Sequence, residues 1–125
     1  PISNFILSFL GVLILTAIHE LGMLQKNYQT FFSYFIIINT YLGLFNLIPI
    51  YPLDGGQIFG NIISKYNRNI FIKLNEYGPK ILLGVILLSF ITQGRISIIG
   101  WMIEPPATLI VDGFHIIAKN ILFFL

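Results

Sequence analysis

The segment from Phe31 to Leu53 contains no Asp, Glu, Lys, Arg or His, and the sequence Asp54-Gly55-Gly56 follows it directly. A charge-free run of this length predicts a membrane-crossing helix, because about 20 apolar residues suffice to span a bilayer. A carboxylate left at membrane depth without a partner costs at least ~2.5 kcal/mol. We therefore expect Asp54 to be paired, and a cation or a metal ion is the partner that best compensates a buried carboxylate.

The composition of the whole chain also indicates a membrane protein. Apolar residues make up 56% of the 125 residues and charged residues 10%, against roughly 25% charged residues in soluble domains. The mean hydropathy is +0.86. The net charge of +2 is too small to indicate a nucleic-acid-binding protein, and the absence of cysteine excludes disulfides and cysteine–zinc sites.

The order of apolar and polar stretches predicts an all-α, polytopic transmembrane helical bundle. The predicted spans are residues 5–24, residues 31–64 with a break, and residues 79–95, followed by a possible further helix at 106–125. Whether that last helix crosses the membrane or lies along its surface stays open at this stage. The chain starts at Pro1 without a methionine or a signal sequence, so we expect it to be an internal piece of a longer protein.

Pro49 and Pro52 break the second span, because each ring removes an N–H donor and clashes with the preceding turn. A break at membrane depth persists only where protein or water covers it, which is typical of a site rather than of a lipid-facing surface. We expect a helix to restart at Pro52, a favoured first-turn residue. Asp54 then lies in the first turn, where the helix dipole favours a negative charge. Gly55 and Gly56 would let another helix pack closely beside it.

Basic residues concentrate in the segment from Lys65 to Lys80, which also holds Arg68 and Lys73 and a single acid, Glu76. We interpret this segment as a loop between spans. By the positive-inside rule the loop at 65–80 is cytoplasmic, and the turn that holds only Lys26 lies on the opposite side of the membrane.

Five residues around the break carry a specific pattern. Asn46 and Pro49 fit Asn-x-x-Pro, and Leu53, Asp54 and Gly55 fit the Leu-Asp-Gly that follows it a few residues later. In this pattern the chain resembles the site-2 protease family of intramembrane zinc metalloproteases. The resemblance covers most of the chain.

Three further segments support this resemblance. Pro1-Ile2-Ser3-Asn4 looks like the end of the Gly-Pro-x-x-Asn sequence that begins the third core helix of the family. Tyr77-Gly78-Pro79 and the segment from Trp101 to Pro106 look like compact bacterial members. The resemblance therefore implies that residues 1–125 are the C-terminal part of a single transmembrane protease domain in a bacterial cytoplasmic membrane.

The resemblance also implies an activity, namely hydrolysis of peptide bonds in transmembrane protein substrates within the lipid bilayer. The implied cofactor is Zn²⁺, bound by two histidines of an upstream H-E-x-x-H helix of the same protein and by Asp54. Zinc accepts such a mixed set of nitrogen and oxygen ligands. Asn46 is implied as a catalytic and substrate-binding residue that hydrogen-bonds the substrate backbone or the developing oxyanion. Pro49 is implied as a second substrate-binding residue.

The chain departs from the family pattern at its only His-Glu pair, His19-Glu20-Leu21-Gly22-Met23, which has Met where a second histidine would be needed. Two zinc-binding histidines must be four residues apart to share a helix face. We interpret His19 and Glu20 as the interfacial end of the first span, and the alternative is a degenerate metal site. We expect that this chain alone does not hold a catalytic zinc.

Other interpretations stay open from the sequence. Asp54 could be a structural capping acid and Asn46 a contact between helices, while Asp112, His115 and Lys119 fit one polar stripe of an amphipathic helix. For the whole chain, the alternatives to a protease are a non-catalytic membrane scaffold or binding relative, and a transporter segment in which the acid at the broken helix binds an ion.

Overall fold

The structure is a computed structural model that describes residues 1–124, and within this range it is all-helical, with five helices and no strand. The helices are α1 (Ile2–Glu20), α2 (Lys26–Leu47), α3 (Asp54–Tyr66), α4 (Arg68–Ile91) and α5 (Ile98–Phe123). Four of them, all except α3, are long and apolar enough to cross a membrane. The predicted class, an all-α polytopic membrane protein with one helix broken at Pro49 and Pro52, is confirmed.

Many large apolar side chains of these helices face outward. Gly78 is the only buried residue of α4, whereas Phe90 near the end of that helix is 82% exposed and Ile91 is 75% exposed. Such exposure would be unfavourable in water, because each buried apolar side chain gains about 1.5–3 kcal/mol over an exposed one. It is the expected distribution for helices that contact lipid.

The chain divides into two compact units. The first comprises Pro1–Gly43 and Glu104–Leu125, and the second comprises Leu44–Ile103. The core of the first unit is formed by Val12, Ile36 and Ala118, from α1, α2 and α5. Apolar side chains packed against these three residues are Leu13, Leu15, Phe32, Val111 and Phe114.

Small residues bring α1 and α2 together in the first unit. The Oγ of Ser8 lies 2.7 Å from the Oγ1 of Thr40. A Cβ at Gly11 would come within 2.9 Å of the ring of Phe35. Small residues and hydroxyl hydrogen bonds are the usual means of helix association in a membrane, where lipid removes the hydrophobic driving force.

The end of α1 is fixed by a left-handed residue, Gly22, whose φ is +66°. The N–H of Gly22 donates to the carbonyl oxygen of His19 at 3.0 Å, and the N–H of Met23 donates to that of Ile18 at 3.0 Å. These two hydrogen bonds form a Schellman motif, which satisfies terminal carbonyl groups and stops the helix. Position 23 therefore lies outside α1.

The segment from Lys65 to Lys80 is helical, so our interpretation of it as a loop is wrong. Only Asn67 separates α3 from α4, and its Oδ1 accepts hydrogen bonds from the backbone N–H groups of Asn69 at 3.1 Å and Ile70 at 3.2 Å. Asparagine is among the best N-cap residues because its side chain satisfies such exposed donors. A new helix thus starts at once, and the basic residues belong mostly to α4.

Prolines in the last two helices lie inside them, not at their starts. Pro79 lies within α4, and Pro105 and Pro106 lie within α5. The residue before a proline is normally driven out of helical geometry by a clash with its Cβ, and Gly78 has no Cβ to clash with Pro79. Membrane helices also tolerate prolines because other groups can satisfy the freed carbonyls. The helix expected at 106–125 therefore begins much earlier, at Ile98.

Candidate metal and substrate site at the helix break

The break between α2 and α3 is a hydrogen-bonded turn. The N–H of Ile48 donates to the carbonyl oxygen of Phe45 at 3.1 Å, that of Ile50 to Ile48 at 2.8 Å, and that of Leu53 to Ile50 at 2.9 Å. The Tyr51–Pro52 peptide bond in this turn is cis. Three of the four backbone N–H groups of residues 48–53 are thus hydrogen-bonded to nearby carbonyl groups although the turn lies outside any helix, which lowers the cost of an interrupted helix in a membrane.

Glycines of α3 contact this turn directly. A Cβ at Gly55 would overlap the carbonyl group of Leu47, and a Cβ at Gly56 would overlap the peptide between Ile50 and Tyr51. We expected these glycines to let another helix pack closely. Gly55 does lie against the last residue of α2, whereas Gly56 lies against the turn itself, so α3 folds back on the backbone that precedes it.

A third glycine, in α4, also contacts the turn. Gly78 is buried, and a Cβ there would come within 2.8 Å of the carbonyl oxygen of Tyr51. The turn is thus enclosed between two helices that both present glycine to its backbone. Sequence reasoning gave Gly78 no such role.

Asp54 is the first residue of α3, and Leu53 before it is extended, with φ −67° and ψ 158°. The expected restart of the helix at Pro52 is wrong, because Pro52 is part of the turn. The placement of Asp54 in the first helical turn is confirmed. Within its own chain Asp54 is an exposed residue, and it lies directly after the break.

Asn46 and Pro49 lie at the other end of the turn, Asn46 half-buried near the end of α2 and Pro49 exposed. Asn39, also on α2, uses its Nδ2 to donate to the carbonyl oxygen of Phe35 at 2.8 Å. Within residues 1–124 no corresponding hydrogen bond is found for the side chain of Asn46. A carboxamide has two donor hydrogens and an acceptor oxygen, so Asn46 keeps its capacity to bond another group.

A polar pocket of about 200 Å³ in the second unit was not foreseen from the sequence. Side chains from the turn, α3 and α4 line it, namely those of Tyr51, Gln57, Asn61, Phe71 and Asn75. A smaller pocket of about 50 Å³ shares Tyr51 and Asn75 with it. A sequence signal did exist, since Gln57 and Asn61 are four residues apart on a short helix and must share a face.

The described residues do not complete a metal site. Within residues 1–124 no group of three or more His, Cys, Asp or Glu side chains lies close enough to hold a metal ion. His19 and Glu20 are the last residues of α1, and their Nδ1 and Oε1 atoms are 3.9 Å apart with both side chains exposed. Because α1 stops at Glu20, a ligand at position 23 could not share its helical face.

Comparison with known proteins places this arrangement in a family. The model of the family described as peptidase family M50 matches residues 1–90, which include α1, α2, the break and α3. The chain belongs to peptidase family M50. This is the site-2 protease family of zinc metalloproteases, so the predicted resemblance is confirmed.

One relative of this M50 chain is described as "Putative zinc metalloprotease YwhC", from Bacillus subtilis (strain 168), and is 36% identical over 83 residues. The alignment covers 62% of this chain and 38% of the relative. The chain therefore spans well under half the length of that protein. No solved structure matches it.

Proposed function

We propose that this M50 chain supplies the aspartate ligand and the substrate-contacting turn of an intramembrane zinc protease. One observation carries the proposal: a helix of membrane-crossing character ends at Leu47, a compact turn follows, and Asp54, an exposed residue, opens the next helix. Family membership and the match of the Asn46-to-Gly55 pattern support the same reading.

Asp54 fits one ligand position of a zinc site, and the remaining positions need other residues. Zinc in proteases is typically held by histidine nitrogens together with a carboxylate oxygen. Since the described residues of this chain do not form such a set, they do not fit a complete zinc site on their own. In the proposal, an H-E-x-x-H helix of the same protein, outside residues 1–125, provides the histidines and the glutamate.

Asn46 and Pro49 are proposed to contact the substrate. A transmembrane substrate must unwind locally before its peptide bond is accessible, which exposes backbone N–H and C=O groups that need partners at membrane depth. The carboxamide of Asn46 can bond such a group or the oxyanion that develops on it. Pro49 prevents α2 from continuing, so the helix ends directly after Asn46, at Leu47.

We further propose that the protein lies in a bacterial cytoplasmic membrane with the junction of α3 and α4 on the cytoplasmic side. The bacterial relative and the four candidate membrane helices support the location. The cluster of Lys65, Arg68 and Lys73 around Asn67 supports the orientation, because positive charge is retained on the cytoplasmic side.

The decisive experiment measures zinc per molecule in the detergent-purified full-length protein that contains this chain. Asp54→Asn should lower zinc content and abolish cleavage of a transmembrane substrate, because an amide is a poorer ligand for a dication than a carboxylate. Asp112→Asn is the matched control, since Asp112 is an exposed aspartate of α5, and it should retain both.

Equal zinc content in Asp54→Asn and the parent would remove Asp54 from the metal site. A folded full-length protein without zinc and without proteolysis would favour the non-catalytic scaffold or the ion-binding transporter instead.

A further inference from the structure

The polar pocket of the second unit takes its lining from three parts of the chain. Tyr51 comes from the turn, Gln57 and Asn61 from α3, and Phe71 and Asn75 from α4. The volume of the pocket is about 200 Å³, whereas about 10–15 Å³ suffices for one water molecule. The pocket therefore has room for a polar group of a ligand.

Three carboxamides meet in this pocket. Asn75 is half-buried, and Gln57 and Asn61 are exposed. Within residues 1–124 no hydrogen bond is found for the side chain of any of the three. Each carboxamide has two donor hydrogens and an acceptor oxygen. Together they offer donors and acceptors side by side, which is what the N–H and C=O groups of a peptide backbone require.

The lining of the pocket is neutral, although charged residues lie close along α3 and α4. Asp54 is one turn before Gln57, and Lys65 and Arg68 lie toward the junction of the two helices. None of these three residues is in the lining. An anion or a metal ion that leaves water needs an opposite charge beside it. The ligand that this lining matches is therefore polar and uncharged.

The pocket opens on the face of α3 that begins with the proposed zinc ligand. Asp54, Gln57 and Asn61 have the i, i+3, i+7 spacing of one helix face. At 1.5 Å per residue, Gln57 is about 4.5 Å and Asn61 about 10.5 Å from Asp54 along the helix axis. An extended peptide advances about 3.3 Å per residue, so the pocket is about one to three substrate residues away from Asp54.

The order of polar and apolar groups along α4 agrees with the proposed orientation in the membrane. The polar pocket is lined on α4 by Phe71 and Asn75. The smaller pocket, which shares Asn75 and Tyr51 with it, extends to Gly78 and Ile81 and has mostly apolar residues and glycines in its lining. Polar groups thus lie nearer the start of α4, at the membrane surface, and apolar groups lie deeper, as the span of a bilayer requires.

We propose that the polar pocket binds the substrate backbone next to the cleaved bond, through the carboxamides of Gln57, Asn61 and Asn75. The inference rests on the proposed protease function and adds to it a substrate contact after the turn, where Asn46 provides one before it. Unwinding of a transmembrane substrate leaves N–H and C=O groups without their helical partners, which is costly at membrane depth. The three carboxamides replace those partners.

Binding of two dye-labelled synthetic transmembrane peptides to the detergent-purified full-length protein tests the proposal. One peptide is an uninterrupted leucine and alanine helix, and the other has a Gly-Pro pair in the middle of the same sequence, which opens the helix. Fluorescence anisotropy, which reports binding rather than cleavage, should give about tenfold tighter binding of the interrupted peptide, as one or two additional neutral hydrogen bonds allow.

Asn75→Leu and Gln57→Leu should each reduce this preference by about threefold or more, because leucine has neither donor nor acceptor. Asn75→Gln should retain it. Asn69→Leu is the matched control, because Asn69 is an exposed asparagine of α4 that lines neither pocket. Thermal unfolding of each variant separates loss of the pocket from loss of the fold.

Equal affinity for the two peptides in the parent protein would overturn the proposal. An unchanged preference in both Asn75→Leu and Gln57→Leu would also overturn it and would show a pocket that holds only water. The zinc content of Asp54→Asn tests the proposed function separately. Zinc content equal to that of the parent would refute the metal ligand without changing these affinities, so the two failures are distinguishable.

Discussion

The carbonyl oxygen of Tyr51 lies so close to Gly78 that a Cβ at position 78 would approach it to 2.8 Å. This contact joins the turn of the helix break to α4, and both partners are backbone. Neither can move aside as the end of a flexible side chain could. The geometry of the break therefore depends on a glycine that is remote from it in sequence.

Gly78→Ala should destabilise the protein by about 1–3 kcal/mol, because the new Cβ would overpack the contact with Tyr51 and would also meet the ring of Pro79. Gly84→Ala in the same helix is the matched control, because nothing lies within 4 Å of a Cβ there. Gly84→Ala should be neutral or stabilising by up to about 1 kcal/mol, since alanine has a higher helix propensity than glycine. Thermal or chemical unfolding in detergent measures both, and similar destabilisation of the two variants would contradict the role of the Tyr51 contact.

The hydrogen bond between Ser8 and Thr40 should couple α1 to α2. A double-mutant cycle of Ser8→Ala and Thr40→Ala isolates this interaction from the effect of each side chain alone. The expected coupling energy is about 0.6 kcal/mol and at most about 1.7 kcal/mol, as for other polar contacts between membrane helices. Additive effects of the two substitutions on unfolding would show that the 2.7 Å contact contributes nothing.

Glu20 should not be the catalytic base, despite its place in a sequence that begins like a zinc-binding motif. A general base must be within hydrogen-bond reach of the water that it deprotonates, and in an H-E-x-x-H helix the two histidines around it share one face. Here the helix stops before position 23. In the full-length protein, Glu20→Gln should retain zinc and most proteolysis of a transmembrane substrate, whereas Asp54→Ala should lose both.

Loss of activity in Glu20→Gln with zinc content and fold preserved would refute this prediction. The chain would then carry its own catalytic base, and the site would have to be rebuilt around the end of α1.

The asymmetry of basic residues predicts membrane topology. Cysteines introduced by Asn67→Cys and Asn27→Cys should react with an impermeant thiol reagent from opposite faces of the membrane, because the positive-inside rule retains the basic junction at Asn67 in the cytoplasm. Both positions are exposed, and residues 1–125 contain no other cysteine that would compete for the reagent. Labelling of both from the same side would contradict the assignment.

Much of the candidate site was predictable because its determinants are local. Pro49 and Pro52 favour the end of a helix because each lacks an N–H, α2 ends just before them at Leu47, and Asp54 lies in the first turn of α3 as expected. The start of α4 also has a local cause, but the charge pattern does not predict it. A dense run of charges suggested a loop, but the side chain of Asn67 caps a new helix within two residues.

The contacts of the glycines and the lining of the polar pocket could not be predicted from local sequence. Gly55 and Gly56 look equally suited to packing against another helix or against their own chain. Gln57 and Asn61 share a face of α3, but the sequence does not say that Asn75 of α4 lines the same pocket.

The sequence by itself determined the apolar character of the spanning segments, the position of the break and the family pattern around it. These properties depend on the hydropathy and backbone chemistry of neighbouring residues, so they can be predicted from a short stretch of sequence. Only the tertiary structure decided that Gly78 contacts Tyr51 and that His19 and His115 line one pocket. Such contacts join residues far apart in sequence. They depend on which helix faces pack together, and close packing of side chains rather than local helix preference determines that.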